Sequence, residues 1–283
     1  MEIAVLDLGS TTFHLQHVRV ESGDGFVTTL DTKRTPLLGA QVFQDGYIDR
    51  RSWLESLEAV WELLKASRAC RPDHLVVVAT SAIRSASNGL LLVREMERRH
   101  EVSVRILDPN EEARLAYLGH TTSPMIRGRR VAVIDLGGGS VEVAIGEGTH
   151  CLDSISLPLG AVRLRSKAAN AAFTREDARA LTKIVRPQLE PVAAMIARLS
   201  PDLTVFGSGS ARAARRLLLR DGTEPGKTGP VELAALLSGL QRDLGASPER
   251  LVELGVEPPR AHSVLAAATI MTEILDVLGV AYA

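Results

Sequence analysis

The segment VAVIDLGGGSVEV, residues 131–143, has a counterpart at the start of the chain, where residues 3–15 are IAVLDLGSTTFHL. At one constant offset, Asp7 aligns with Asp135 and Gly9 aligns with Gly137. Each segment is a short apolar run that stops at glycine and is followed by a second, alternating run. This pattern is typical of a buried strand that turns tightly into a hairpin partner. The repeat therefore predicts two similar halves, each of which begins with a hairpin.

Strands and helices are predicted to alternate along the rest of the chain. Short apolar runs predict three further strands, at residues 75–80, 102–107 and 204–206. Between the strands, apolar residues recur at helical spacing, and two helix starts carry the residues of a capping box. These pairs are Ser52 with Glu55 and Thr174 with Asp177. Alternating strands and helices in two matched halves predict an α/β fold.

The length of 283 residues suits two domains rather than one. The apolar pattern breaks at residues 119–129, which carry the sequence GHTTSPMIRGR. We therefore expect a first domain at residues 1–122 and a second at residues 123–283.

Composition and charge narrow the class of protein. Hydrophobic residues make up 45% of the chain and its formal net charge is -1, as in an ordinary globular protein without a nucleic-acid or membrane partner. Glu2 and Asp7 interrupt the first apolar run, so a signal peptide is not expected. The apolar stretch near the end contains Glu273 and Asp276 and does not fit a membrane span. These features predict a cytoplasmic protein.

The two glycine turns predict a site for phosphate. A glycine turn lets the backbone approach a ligand closely and direct N–H groups at an anion. The predicted phosphate-binding residues of the turns are Gly9, Ser10, Thr11, Gly137, Gly138, Gly139 and Ser140. Because Asp7 and Asp135 would repel phosphate, they imply a divalent cation, and Mg²⁺ is the expected ion. Alternatively, the glycines only make tight hairpins and the aspartates cap them, but two matched copies favour the phosphate site.

Two further segments are compatible with phosphate binding but are weaker signals. Residues 207–214, GSGSARAA, form a turn from strand to helix in which Ser208 and Gly209 would meet a phosphate at the helix N-terminus. Arg84 follows the strand predicted at 75–80. It either balances phosphate charge or is an ordinary surface arginine.

Adjacent glutamates in LDPNEEARLAYLGH, residues 107–120, have different expected roles. Asp108 suits the N-cap, Pro109 the first helical position and Glu111 the reciprocal position of a capping box. Glu112 has no such local role, so it either acts as a general base that takes a proton from water or is a solvated glutamate. The local pattern leaves these two alternatives open.

Six segments together resemble one known family. In chain order they are DLGSTTFHL, ATSAIR, NEEARLAYLG, VIDLGGGSVEV, LPLGAVRL and GSGSARAA, and they span most of the sequence. The set is similar to the exopolyphosphatase/guanosine pentaphosphate phosphatase family, within the sugar kinase, Hsp70 and actin superfamily. The resemblance implies two ribonuclease-H-like, actin-like domains that flank an active-site cleft, and a homodimer.

The resemblance also implies roles for individual residues. Glu112 matches the catalytic base, and Arg84 matches an arginine that contacts phosphate during catalysis. Asp135 and Glu142 match metal-linked acidic positions, and Asp7 is the candidate third ligand. The family usually has asparagine where this chain has Thr11, and glycine where it has Ala267.

The sequence thus predicts an exopolyphosphatase that hydrolyses terminal phosphoanhydride bonds of inorganic polyphosphate. Water oriented by Glu112 attacks in line, and Mg²⁺ and the turn amides stabilise the transferred group. A guanosine pentaphosphate phosphohydrolase is one alternative. A superfamily kinase is a second, although Ala267 would crowd its nucleotide pocket. A non-catalytic sensor of guanosine tetra- or pentaphosphate is a third, which Thr11 keeps open.

Overall fold

The structure is a computed structural model that describes residues 1–21, 25–123, 126–166, 172–220 and 232–279. Its contacts divide the chain into two compact units, Met1–Asp108 and Pro109–Ala283. Within the described ranges, no helix combines the length and the apolar character needed to cross a bilayer.

The first unit is built on a five-stranded sheet with strand order β3-β2-β1-β4-β5. Its strands are β1 (Glu2–Leu8), β2 (Phe13–Val20), β3 (Phe26–Arg34), β4 (His74–Ala79) and β5 (Val104–Ile106). Its helices are α1 (Leu38–Asp45), α2 (Arg50–Cys70), α3 (Ser81–Ser85) and α4 (Gly89–His100). Alternate residues of β1, namely Ala4, Leu6 and Leu8, are buried in one core with the apolar faces of α2 and α4. The side chains that alternate along β1 therefore point to the face of the sheet that the helices cover.

The second unit contains a four-stranded sheet with strand order β8-β7-β6-β9. Its strands are β6 (Arg130–Leu136), β7 (Val141–Glu147), β8 (His150–Leu157) and β9 (Leu203–Gly207). Its helices are α5 (Pro109–His120), α6 (Ala161–Arg165), α7 (Arg175–Gln188), α8 (Glu190–Leu199), α9 (Gly209–Leu219), α10 (Leu233–Asp243), α11 (Pro248–Glu253) and α12 (Val264–Val277). The helix α12 is apolar on nearly all sides because it lies inside the core, packed on α7, α9 and α10.

The two halves repeat one another in structure as well as in sequence. In each, three antiparallel strands are followed by a strand parallel to the first, so that β1 pairs with β4 and β6 pairs with β9. The turns also match, since the Gly9 N–H donates to Thr12 O at 3.2 Å and the Gly137 N–H donates to Ser140 O at 3.0 Å. The predicted α/β fold in two matched halves is confirmed. The placement of the halves about a cleft stays a prediction.

The helix α5 packs with the second unit. It lies against β6, β7 and β8, and Tyr117 on it is fully buried among Val131, Val133 and Ala144. The contacts therefore divide the chain before α5, whereas the predicted boundary between residues 122 and 123 follows it. The break in the apolar pattern at residues 119–129 begins at the end of this helix, and the domain boundary placed there stays a prediction.

Candidate active site

The carboxyl end of β6 carries two acidic side chains from neighbouring strands. Asp135 on β6 lies directly opposite Glu142 on β7, and the glycine turn begins two residues after Asp135, at Gly137. Glu142 is buried, and its Oε1 accepts a hydrogen bond from the Ser156 hydroxyl at 2.8 Å. A β-carbon placed on Gly137 would lie 4.0 Å from Glu142 Oε2, so this carboxylate lies next to the turn.

Glu112 brings a third carboxyl group to the same region. It lies with Glu111 in the first turn of α5, which begins at Pro109 as predicted. Burial, together with the negative charges of Glu112 and Asp135, raises the pKa of Glu142 to about 8. Without a bound cation, Glu142 therefore carries a proton at neutral pH.

Two positively charged or ionisable groups that the sequence prediction did not include lie near Asp135. Burial raises the pKa of Asp135, and His120 and Arg212 oppose this rise. The Nδ1 of His120 lies 2.8 Å from Ala116 O, and a β-carbon on Gly207 would come within 2.9 Å of the imidazole Cε1. His120 and Arg212 belong to α5 and α9, which meet Asp135 only in the folded chain. The sequence signal for Arg212 was its place in the GSGSARAA segment, and His120 had none.

At the start of α9, the predicted phosphate-binding residues Ser208 and Gly209 make local structural contacts. The Ser208 hydroxyl donates to Leu136 O at 2.7 Å and accepts from the Ala211 N–H at 3.2 Å. Gly209 leaves room for the Arg260 guanidinium, which a β-carbon at this position would overlap. The Ser208 side chain thus joins α9 to the end of β6, next to the glycine turn.

The matching turn of the first unit holds the other predicted residues. Asp7 on β1 lies opposite His14 on β2, whose Nε2 is 2.8 Å from Asp31 Oδ1. Ser10 is buried in the turn, between Gly9 and Thr11. Arg84 lies on α3 and donates from Nη1 to Leu107 O at 2.7 Å. The structure thus places Asp7 and Arg84 in the first unit, and Asp135, Glu142 and Glu112 together in the second.

Comparison with known proteins identifies the family. The sequence profile of the Ppx/GppA phosphatase family matches residues 18–281. The chain belongs to this family. It is 28% identical over 288 residues to Exopolyphosphatase 1 of Mycobacterium tuberculosis, with 99% of this chain and 83% of that protein aligned.

Solved structures of the Ppx/GppA family share the fold. An exopolyphosphatase from Cytophaga hutchinsonii superposes with a TM-score of 0.89 at 22% identity, covering 100% of this chain and 92% of that one. A Ppx/GppA family member from Aquifex aeolicus superposes with a TM-score of 0.81 at 24% identity and the same coverage. The resemblance inferred from the six sequence segments is confirmed.

The acidic cluster of this Ppx/GppA protein has a donor set that suits a hard divalent cation. In the described part of the chain, no three His, Cys, Asp or Glu side chains form a ready-made metal site. Mg²⁺, however, is commonly held by one or two carboxylates and completed by phosphate oxygens and water. Asp135 and Glu142 supply two such carboxylates, and burial is the main cause of the raised pKa of each.

Proposed function

We propose that this chain is a Mg²⁺-dependent exopolyphosphatase that removes terminal phosphate from inorganic polyphosphate. The single observation that carries the proposal is the group of three carboxyls, Glu112, Asp135 and Glu142, beside the glycine turn in the second unit. Membership of a phosphatase family supports hydrolysis as the reaction.

Among the three acids, Glu112 is the best candidate for the general base. A base must be able to take a proton from water, and in this proposal the carboxylates of Asp135 and Glu142 are already engaged with Mg²⁺. Asp135 lies two residues before the turn and suits cation binding. Glu112 is at the N-terminus of α5, where the helix dipole favours a carboxylate. In this proposal Glu112 orients the attacking water and accepts its proton.

Asp135 and Glu142 are the proposed Mg²⁺ ligands, and Asp7 is proposed as a third because it holds the same place in the repeated turn. The bound ion would neutralise phosphate charge and stabilise the negative charge that develops on the transferred group. The turn residues Gly137, Gly138, Gly139 and Ser140 are proposed to bind phosphate oxygens through their N–H groups. The proposed phosphate contact of Arg84 likewise rests on the resemblance.

Phosphate release by the purified chain tests the proposal. Inorganic polyphosphate and guanosine pentaphosphate are incubated in parallel with the protein, each with Mg²⁺ or with EDTA. We expect release from polyphosphate in Mg²⁺ and its loss in EDTA. Release from guanosine pentaphosphate alone would replace the proposed substrate, and equal rates in EDTA would reject the metal.

The assembly and cellular location follow from the family and the composition. We propose a cytoplasmic homodimer without a nucleic-acid or membrane partner. Light scattering coupled to size-exclusion chromatography tests the dimer, since a mass of about one chain (30.4 kDa) would reject it.

A further inference from the structure

A short segment behind the GGGS turn of residues 137–140 makes hydrogen bonds to three consecutive carbonyl groups of the turn. We call residues 160–163, sequence GAVR, the brace. The Ala161 N–H donates to Gly137 O at 3.0 Å, and the N–H groups of Val162 and Arg163 donate to Gly138 O at 2.8 and 3.0 Å. The Arg163 side chain adds a bond from Nε to Gly139 O at 2.6 Å.

These bonds determine the direction of the turn's N–H groups. In a trans peptide the C=O of one residue and the N–H of the next point in opposite directions. Fixing the carbonyls of residues 137, 138 and 139 towards the brace therefore turns the N–H groups of Gly138, Gly139 and Ser140 away from it. Successive N–H groups that point to one side form an anion-binding nest.

Gly160 allows the brace to approach this closely. A β-carbon at Gly160 would overlap the backbone of Gly138 and Gly139, so only glycine fits against the turn. Gly160 has an extended backbone conformation that other residues also adopt. Its requirement for glycine is therefore one of space and not of backbone angles.

The first unit repeats this arrangement in a shorter form. Residues 36–40, PLLGA, resemble residues 158–161, PLGA, with one residue inserted. The Gly39 N–H donates to Ser10 O at 2.6 Å, and a β-carbon on Gly39 would lie 2.9 Å from that oxygen. Ser10 is the counterpart of Gly138. Both halves thus hold their turn with a glycine and a backbone N–H from the start of a short helix.

We infer that Arg163 and Gly160 are positioning residues, which hold the GGGS turn so that its N–H groups can bind a phosphoryl group. The inference rests on the proposed function for the phosphate site at the turn and for polyphosphate as the substrate. Arg163 is the more informative residue, because truncating its side chain removes the bond to Gly139 O and keeps the backbone N–H groups of the brace.

Kinetics of Arg163 variants test the role in catalysis. Arg163→Ala removes the bond to Gly139 O, and we expect the KM for polyphosphate to rise about tenfold or more, with a smaller change in kcat. Added guanidinium ion should restore part of the loss, which a merely unfolded fraction would not show. Arg163→Lys, which keeps a donor, should fall between the wild type and Arg163→Ala.

The matched control is Arg198→Ala, which removes an exposed arginine of α8 that pairs with Asp153. Its KM should stay at the wild-type value. Thermal unfolding confirms that each variant is folded. If Arg163→Ala fails to fold, Arg163→Lys is compared with the control. Equal KM values for the folded Arg163 variant and the control would overturn the inference.

A binding measurement separates this inference from the proposed function. With ¹⁵N-glycine labelling, inorganic phosphate should shift the amide signals of Gly138 and Gly139 in the wild type and much less in Arg163→Ala. A wild type that shifts these signals but releases no phosphate from polyphosphate would reject the proposed function alone. Glycine signals that respond equally in both proteins, or in neither, would reject the positioning role.

Discussion

At the residue scale, Glu111 and Glu112 are neighbours in the first turn of α5 with different expected contributions to the reaction. Glu112→Gln keeps the shape of the side chain but removes the base, so the rate on polyphosphate should fall by roughly two to four orders of magnitude. Glu111→Gln should be mild because glutamine can still return a capping-box hydrogen bond. Steady-state phosphate release measures both.

Unfolding in urea provides the control for this pair, since neither substitution should move the free energy of unfolding appreciably. A Glu112→Gln enzyme at nearly the wild-type rate, with Glu111→Gln inactive, would reverse the two roles. Wild-type rates in both variants would show that neither glutamate is the general base, whereas no release even by the wild type would favour the phosphate-binding sensor.

The carboxyl of Glu142 should make the metal-free protein sensitive to pH. Burial raises its pKa in the folded protein to about 8, well above the ordinary value near 4.5. Between these two values the folded state holds a proton that the unfolded state has lost, so the free energy of unfolding should fall as the pH rises. Glu142→Gln should reduce this fall and leave the part that comes from Asp135, whose pKa is also raised. Urea unfolding in EDTA at pH 5, 7 and 9 measures it.

Added Mg²⁺ distinguishes a metal-linked acid from a merely buried one. If the ion binds the ionised carboxylate, it should stabilise the wild type most at pH 9, and Glu142→Gln should lose that effect. A wild type whose stability between pH 5 and 9 matches that of Glu142→Gln would contradict the raised pKa.

Sequence patterns found some site residues and could not find others. Asp135 and Glu112 stand in recognisable motifs, so their chemistry was predictable from neighbouring residues. Ser156 and His120 join the site from β8 and the end of α5, far along the chain from Asp135. Their partners are set by strand register and helix packing, which a local pattern does not contain.

At the scale of elements, strands with a clear local pattern were predicted and strands without one were missed. The strands β1 and β6 were predicted because their buried apolar residues end at glycine. The strand β3 lies at the edge of its sheet and is exposed along almost its whole length, so it lacks the alternation on which the prediction relied. The strand β8, also at an edge, has mostly half-buried residues and was missed for a similar reason.

Helix starts show where capping signals succeed. Thr174 and Asp177 form the predicted capping box at the start of α7. The predicted pair Ser52 and Glu55 was wrong, because α2 starts earlier and Asp49 is its N-cap, accepting from the Ser52 N–H at 2.7 Å. Both residue types cap helices well, so the sequence alone did not determine which one would be used.

The capping box of α7 should contribute measurably to stability. Thr174→Ala removes the side-chain acceptor of the Asp177 N–H and should lower the free energy of unfolding by about 1 kcal/mol. Glu176→Gln, in the same first turn but outside the box, is the matched control and should change it by less than about 0.5 kcal/mol. Urea denaturation measures both variants, and equal losses would argue that the box contributes nothing specific.

At the scale of the whole molecule, the two possible domain boundaries differ in where they assign α5. The contacts divide the chain before this helix, and the predicted boundary follows it. The helix precedes residue 122 in the chain but packs on β6, β7 and β8. Amide hydrogen exchange can show with which unit α5 unfolds, because residues that open in one cooperative unit lose their protection together. Two large-to-small substitutions in the separate cores, each costing about 2–5 kcal/mol, destabilise one unit at a time.

Leu15→Ala weakens the core of the first unit, and Ile145→Ala weakens that of the second, since both side chains are fully buried. Because Tyr117 packs on the second sheet, Ile145→Ala should speed exchange of α5 together with β6 and β7. Leu15→Ala should speed exchange of β1, β2 and β4 and leave α5 at its wild-type rate. If Leu15→Ala instead speeds the amide exchange of α5, the stability of this helix comes from the first unit. The boundary between residues 122 and 123 is then the correct one.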